Sequence, residues 1–464
     1  MKIYNTLTGK KDDLKPIKRK KINMFVCGPT VYDYSHLGHA KLFITFDVFT
    51  KYLRHIGFNV FYLQNITDID DKIIARAREK GVSPKDLAVA FEKEYLKDMK
   101  SLGINSVSKY ARATSYIKEI INQTDRLQKK GFAYKLAEDG IYFDISKFKN
   151  YGKLSGRTVL DAEDAVSRID YSKNKRNRGD FCLWKFKQES LEPSWPAPFG
   201  EGRPGWHIED TAITEKFFGS QYDIHGGARE LLFPHHEAEV AQMEAVSGKA
   251  PLVKYWMHVG VLTVNGQKMG KSLGNFIVLN DFLKRCPVNY LRFFVVKNLW
   301  RSPVDYSESV MIEVKSAVER IEEFLRRAKC QNAIKNSKDA GLLIKNLKND
   351  FYVELADDFN TPQAFAVMFD FIKKTNELLD NGQISKKQAG DIYKFFQEMN
   401  KIFGIIDFKK VNKIIPTEIK KLAKLREEYR KNKEWQKADE TRMQIEKKGF
   451  TVQDSENGPV IKNI

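Results

Sequence analysis

Cysteine is scarce in this chain: four in 464 residues (Cys27, Cys182, Cys286, Cys330), at irregular spacing. That excludes a disulfide framework, and a reduced, cytoplasmic protein is the expectation. Apolar runs long enough to cross a bilayer are missing, so no membrane partner is expected. Met1 to Pro16 is polar and strand-like without an apolar centre, which does not read as a signal peptide. Acidic residues are in deficit: 60 Asp and Glu face 79 Lys and Arg, a formal charge of +19. A surplus of that size favours a polyanionic partner, nucleic acid before anionic membrane. A solvated lysine-rich surface is the plain alternative. Internal repeats and long low-complexity linkers are also lacking. What remains is globular: 42% hydrophobic and 30% charged residues. That length calls for about two to four domains with real cores.

Residues 22–27 (INMFVC) and 58–65 (FNVFYLQN) read as short buried strands, with helical patterns at 40–55 and 70–80. Strand, helix, strand at this spacing predicts a parallel, doubly wound α/β sheet. Residues 84–130 read as helical and rich in Lys and Glu. The texture changes near 131, where short β-like runs (GIYFDI, FCLWKF) alternate with polar and Gly/Pro segments, and EPSWPAP at 192–198 is incompatible with regular structure. Residues 221–225, 252–264 and 275–279 supply further strand candidates. From about 288 onward helical period dominates, with few Gly or Pro. The expected partition is a split α/β domain (1–130 and 199–290), an insertion at 131–198 and an all-α C-terminal region, divided into 291–408 and 409–464.

Two short motifs carry chemistry. His36-Leu37-Gly38-His39 lies between a strand and a helix, and Lys268-Met269-Gly270-Lys271-Ser272 lies in a Gly-rich stretch. Histidines three apart on a first helical turn project from one side, at the end where free N–H groups and the dipole attract phosphate. Imidazoles there can donate to ATP phosphates, and Lys268 and Lys271 can neutralise a pyrophosphate leaving group. Gly266, Gly270 and Gly274 imply a loop that closes over substrate. A helix-capping histidine pair with an ordinary basic loop is the alternative.

HLGH with KMGKS resembles the HIGH and KMSKS signatures of class I aminoacyl-tRNA synthetases. The segments MFVCGPTVYDYSHLGHA, NITDIDDKI, SWPAPFGEGRPGWHIE, DIHGGARELLFPHHEAE, YWMHVG and DDFNTP are similar to those of the cysteinyl-tRNA synthetases. They spread over 24–362, and the resemblance runs to the C-terminus. It implies a Rossmann-type catalytic core, an insertion, a helical bundle and an anticodon-binding tail. The implied activity is ATP-dependent ligation of L-cysteine to tRNA(Cys), with magnesium accompanying ATP. The family's usual monomeric state is expected here.

Cys27 ends the first strand, and His235 and Glu239 stand four apart on an apparent helix from His235 to Val246, so they share a face. Thiolate, imidazole and carboxylate suit zinc, although from spacing alone His235, His236 and Glu237 equally suit a helix cap. The family holds zinc in the amino-acid pocket with two Cys, one His and one Glu. Three positions match as Cys27, His235 and Glu239. The fourth falls at Asp210, where the family has Cys. Zinc retained with Asp210 as ligand is the expectation, in a harder site than one with two thiolates. Asp210 as an N-cap or an outer carboxylate is the alternative.

The resemblance also places Thr67, Trp206 and His225 around the amino acid, with Thr67 and His225 as hydrogen-bond donors. A core Trp, a strand-end His and a Thr67 N-cap in a box with Asp70 are the structural readings. Gly270 departs from the usual Ser of the KMSKS loop. In the tail, Arg430, Trp435, Asp439 and Asp454 match positions that read the anticodon. The alternative for Trp435 is that it pins one helix to its neighbour. Two further possibilities stand beside the ligase: a cysteine ligase acting on a small amine, as in mycothiol biosynthesis, and a non-catalytic tRNA-binding paralogue.

Overall fold

The computed structural model describes residues 1–157, 174–189, 192–270, 273–331, 336–413, 416–454 and 459–463. At its centre is a five-stranded, wholly parallel sheet in the order Val253–Val259, Tyr222–Ala228, Lys21–Val26, Asn59–Ile66, Lys109–Arg112. The chain starts in the middle, builds outward through the strand Asn59–Ile66, then returns to the other side of the first strand. The reversal of direction lies between Lys21–Val26 and Tyr222–Ala228. In open α/β sheets a crevice forms at that point, beyond the carboxyl ends of the strands.

Side-chain alternation assigns each residue of the first strand to one face. Ile22, Met24 and Val26 enter a core shared with the helix Leu37–His55 and the C-terminal bundle, whereas Phe25 and Cys27 enter a second core built with the insertion. Both faces being buried explains the near-continuous apolar run INMFV.

The helix Leu37–His55 is buried almost all round, and its charged side chains are satisfied internally. Lys41 donates to the carbonyls of Gly260 (2.6 Å), Val261 (3.1 Å) and Ser302 (2.8 Å), and burial lowers its pKa to about 7. Asp47 pairs with Arg292 at 2.8 Å, and Arg292 also donates to the carbonyls of Leu102 and Phe403. This buried pair ties the helix Leu37–His55 to the bundle; losing one partner typically costs about 3–5 kcal/mol.

The insertion forms its own antiparallel sheet, Ala133–Leu136, Gly140–Phe143, Phe181–Phe186 and Gly202–Pro204 in that order, so its last strand lies past residue 198. Helices Glu308–Lys329, Lys338–Ala356, Thr361–Asp380 and Lys386–Phe403 form the bundle, each with a side-chain N-cap from Ser307, Ser337, Asn360 or Ser385. The tail packs the helices Thr417–Lys431 and Trp435–Lys447 and the hairpin Phe450–Gln453/Val460–Asn463 around Ile419, Ala423, Ile445, Phe450 and Val452.

Three expectations need correction. The stretch 84–130 is not helical throughout: Lys109–Arg112 is an edge strand between the helices Pro84–Ser101 and Ile117–Lys129. Its sequence, KYAR, is too short and too polar for an alternating signal, and pairing with Leu63–Ile66 decides its state. Residues 275–279 are not a strand; only Val278 makes an isolated bridge, to His36, before the helix Leu279–Arg285 begins. Thr67 is not an N-cap, because the helix Asp71–Lys80 is capped by Asp70. Thr67 is bridged instead to Thr30.

Candidate active site

A cleft of about 560 Å3 opens at the reversal point of the sheet. Its walls include Cys27, His36, Gly38, His39, Thr67, Trp206, Asp210, His235 and Lys268. Residues far apart in sequence meet here because their strands all end on this side.

His36 is the N-cap of the helix Leu37–His55 and His39 its third residue, and together they form a capping box. His36 Nδ1 accepts from Gly38 N–H (3.1 Å) and His39 Nδ1 accepts from His36 N–H (3.5 Å). An accepting Nδ1 puts the ring proton on Nε2. Burial, then the neighbouring His36, hold the His39 pKa well below the usual histidine value. The rings stack with centroids 3.9 Å apart. Capping therefore sets the chemistry of both rings: the cap consumes Nδ1 and fixes each Nε2–H as a donor.

Lys268 ends the two-residue strand Gln267–Lys268, which pairs with Leu262–Val264. Its ammonium is 79% exposed and 2.7 Å from Glu230, across the cleft mouth. Asn275 accepts from Gly270 N–H at 2.8 Å and donates to the Lys268 carbonyl at 3.2 Å, closing the loop on itself. Lys271 lies outside the described residues.

Beside the His36–His39 pair, Cys27, Asp210, His235 and Glu239 are all buried, with their ligating atoms within 4.8 Å of one another. Asp210 lies in the first turn of the helix Ile208–Phe218. A widened turn at Leu232–His236, with Phe233 extended, leads into the helix Glu237–Ser247 and sends His235 and His236 in different directions. His235 Nε2 is 3.0 Å from Asp210 Oδ2 and 3.1 Å from Glu239 Oε1. Only the first has hydrogen-bond geometry, so Asp210 Oδ1 and both Glu239 oxygens are buried without a hydrogen-bond partner. Burial, then Asp210 and Glu239, push the Cys27 thiol well above its usual pKa. Two buried carboxylates with orphaned oxygens converge here with a thiol and an imidazole. A divalent ion that accepts S, N and O donors fits this set, and Asp210 is a chemically competent replacement for Cys.

Two histidines on the far side of Cys27 form a second set with it and Glu239. His225 Nε2 is 3.3 Å and His236 Nε2 3.1 Å from Cys27 Sγ. His236 Nδ1 is 2.8 Å from His258 Nε2, and His258 Nδ1 is 2.8 Å from Thr6 Oγ1. With the Thr6 hydroxyl donating, the chain of tautomers runs inward and ends in an N–H aimed at sulfur. Tyr222 O–H completes the same pattern for His225 at 2.7 Å. Gly227 leaves room for it: a Cβ there would lie 2.6 Å from the His236 ring. Sequence reasoning read His236 only as a helix cap; the doubled histidine of FPHHE was the available signal.

Trp206 stacks on His235 with centroids 4.3 Å apart and walls the cleft. His225 is fully buried behind Cys27 and stacked on Trp256. Thr67 donates its hydroxyl proton to Glu209. In the tail, Trp435 opens the last helix and is 55% exposed, with the Arg430 guanidinium 5.6 Å from its ring centre. Asp454 pairs with Arg426 and Arg430, and Asp439 is exposed on the same helix as Trp435. About half of Trp435 is open to solvent, and Arg430, on the preceding helix, lies against its ring.

The family model described as the tRNA synthetases class I (C) catalytic domain matches residues 13–316, and the DALR domain matches 350–407. The cysteine–tRNA ligase of Thermoplasma volcanium is 44% identical over 98% of each chain. That of Thermococcus gammatolerans is 42% identical over 100% of this chain and 99% of its own. Among solved structures, Mycobacterium tuberculosis methionyl-tRNA synthetase in complex with methionyl-adenylate superposes with a TM-score of 0.62 at 13% identity, covering 83% of this chain and 89% of that one. That likeness establishes the fold alone. With the sheet, the cleft and these matches together, the chain belongs to the cysteinyl-tRNA synthetases of class I.

Proposed function

We propose that this chain is an ATP-dependent ligase that joins L-cysteine to tRNA(Cys) through cysteinyl-adenylate. One observation carries the reading: a buried Cys/Asp/His/Glu cluster opens into the same cleft as the HLGH helix start and Lys268. The first supplies a reason to choose cysteine and the second a way to hold ATP.

His36 and His39 present neutral Nε2–H groups at a helix N-terminus, where they donate to ATP phosphate oxygens. An oxygen of the cysteine carboxylate attacks the α-phosphorus in line, and the bond to the bridging oxygen of pyrophosphate breaks with its electrons leaving on pyrophosphate. Lys268 and Lys271 neutralise that leaving group, and magnesium travels with ATP. A ribose hydroxyl at the tRNA 3′ end then attacks the carbonyl carbon, loses its proton, and AMP departs. No side chain forms a covalent intermediate; positioning and charge do the work.

Zinc is the metal we assign to Cys27, Asp210, His235 and Glu239; when bound it offers a soft acid for a substrate thiolate, which a serine hydroxyl satisfies poorly. His225 and His236 donate to Cys27 Sγ from outside, and Trp206 and Thr67 flank the amino acid. Arg430, Trp435, Asp439 and Asp454 read the anticodon, with Trp435 stacking on an unpaired base. The five segments serve as the units of this division of labour, with bounds kept at 130, 290 and 408 and the insertion extended past 198 to take in its last strand, Gly202–Pro204, in a cytoplasmic monomer.

An aminoacylation assay with cysteine, ATP and total tRNA tests the reading. Alkali-labile, acid-stable charging of tRNA with cysteine is expected. Cysteine-dependent ATP–pyrophosphate exchange without charging of any tRNA would instead favour a small-amine ligase, and absence of both would favour a non-catalytic paralogue. Metal analysis of the active protein should give about one zinc per chain, as four buried donors of this kind bind zinc strongly.

A further inference from the structure

Glu209 is buried at 1% exposure, next to Asp210 in the first turn of the helix Ile208–Phe218. Successive helical residues point in different directions, so Asp210 enters the ligand cluster while Glu209 turns toward Asn65 and Thr67. The charges nearest Glu209 are Asp210, Asp68 and Asp70, all of its own sign. A buried carboxylate without a cation is costly, and a fold retains one at a site where a ligand brings the missing charge.

Its hydrogen bonds define what that ligand must be. Glu209 Oε1 accepts from Asn65 Nδ2 (3.3 Å) and from the Thr67 hydroxyl. The Asn65 amide is oriented from its other end, where Oδ1 accepts Gly28 N–H at 2.6 Å. Thr67 is held by its own backbone: its N–H donates to the Pro29 carbonyl and its carbonyl accepts from Val31 N–H, both at 3.1 Å. A hydroxyl has one proton and two lone pairs. Here the proton goes to Glu209 and one lone pair faces Asn65 Nδ2 at 3.3 Å. Thr67 lines the cleft, so what it offers there is an acceptor. The earlier expectation of Thr67 as donor to a carboxylate or thiolate is therefore reversed. Of the three polar groups of cysteine, carboxylate and thiolate only accept; the α-ammonium donates.

We propose that Glu209 is a positioning residue for the substrate's α-ammonium, acting through Thr67. It fixes the Thr67 hydroxyl as an acceptor by taking its proton. With the ammonium held there and the sulfur at the Cys27/Asp210 side, the carboxylate is turned toward the phosphate end of the cleft. The site thereby selects α-amino thiols over thiols that lack the amine. This inference rests on the cleft being the cysteine-activating site.

The test compares cysteine with 3-mercaptopropionate, which has the thiol and carboxylate but no amine. Wild-type protein, Glu209→Gln and Thr67→Val are assayed by cysteine-dependent ATP–pyrophosphate exchange, with 3-mercaptopropionate as competitive inhibitor. Hydrogen bonds to charged groups predict that both variants raise KM for cysteine by roughly 10-fold or more. KM for ATP, the inhibition constant of 3-mercaptopropionate and the zinc content should stay within about twofold, because none of these involves the ammonium. An inhibition constant that rises in step with KM, or zinc lost from both variants, overturns the proposal. So does an unchanged KM for cysteine in either variant. If the wild-type protein gives no cysteine-dependent exchange at all, the functional reading fails instead.

Discussion

His207 Nδ1 lies 2.8 Å from His235 Nδ1. Two ring nitrogens at that distance share one proton. With the proton on His235, its Nε2 is a bare lone pair directed at Asp210 and Glu239, which is the state a metal ligand needs. Burial, then His235, hold the His207 pKa well below the usual value, so His207 stays neutral and able to accept. Replacing His207 by Ala should weaken zinc binding about 10–100-fold in a chelator competition, the range for lost outer partners of ligating histidines. Restoration of exchange activity by excess zinc would mark the defect as one of metal affinity.

Asp210 supplies oxygen where a thiolate would bind zinc more strongly. Asp210→Cys should move the chelator midpoint to higher chelator concentration, whereas Asp210→Ala should leave zinc substoichiometric. Equal zinc retention in all three proteins would remove Asp210 from the ligand set.

Lys268 is paired with Glu230 at 2.7 Å, but both groups are more than half exposed. Such pairs contribute about 0–1 kcal/mol, so Glu230→Gln should change KM for ATP by no more than a few fold. Lys268→Ala, by contrast, removes charge from the leaving group and should lower the exchange rate by about 100-fold or more. Gly270→Ser should preserve activity, since the loop is closed by Asn275 through the backbone. A severalfold loss in Gly270→Ser would show that the glycine itself is needed.

Trp435 and Arg430 stand together on the tail surface. Trp435→Ala should weaken tRNA charging through KM for tRNA, by roughly 10-fold if one base stack worth about 1–3 kcal/mol is lost. Cysteine-dependent exchange, measured without tRNA, should be unchanged. Equal loss of both activities would return Trp435 to a structural role.

His258 is buried, and its pKa is lowered to about 3, first by burial and then by Arg229. An unfolded histidine titrates near 6.5, so below that pH the unfolded chain binds a proton that the native one does not. Stability from this group is therefore full above 6.5 and falls as pH drops toward 3, by about 1.4 kcal/mol per pH unit. Denaturant melts at pH 7, 5.5 and 4.5 should show a shallower decline in His258→Gln than in the wild type. Parallel declines would show that His258 is protonated in the native state.

Much of the site was legible because its chemistry is local in sequence. The HLGH turn and the Cys27 strand end are local and kept their predicted geometry, whereas His235 sits in the widened turn Leu232–His236 and Glu239 in the helix Glu237–Ser247, two elements where one helix was expected. The tail residues were legible as a motif, while the half-exposed position of Trp435 came only from the structure. What escaped is what depends on neighbours. Lys109–Arg112 is a strand because an edge was open to it. Thr67 gives its hydroxyl proton to Glu209, 142 positions away, which leaves only its lone pairs for the cleft. His236 and His258 joined the site through a widened turn that no periodicity announces.

By itself the sequence determined the alternation of buried faces, the capping chemistry of His36 and His39 and the identity of the donor atoms. These follow from backbone periodicity and side-chain pKa, which act over a few residues. Only the tertiary structure decided that Cys27 and Asp210, 183 residues apart, share one ligand cluster at 3.6 Å. The return of the chain to the open side of its first strand brings them together, and that pairing is selected by burial of both sheet faces. No local signal encodes it.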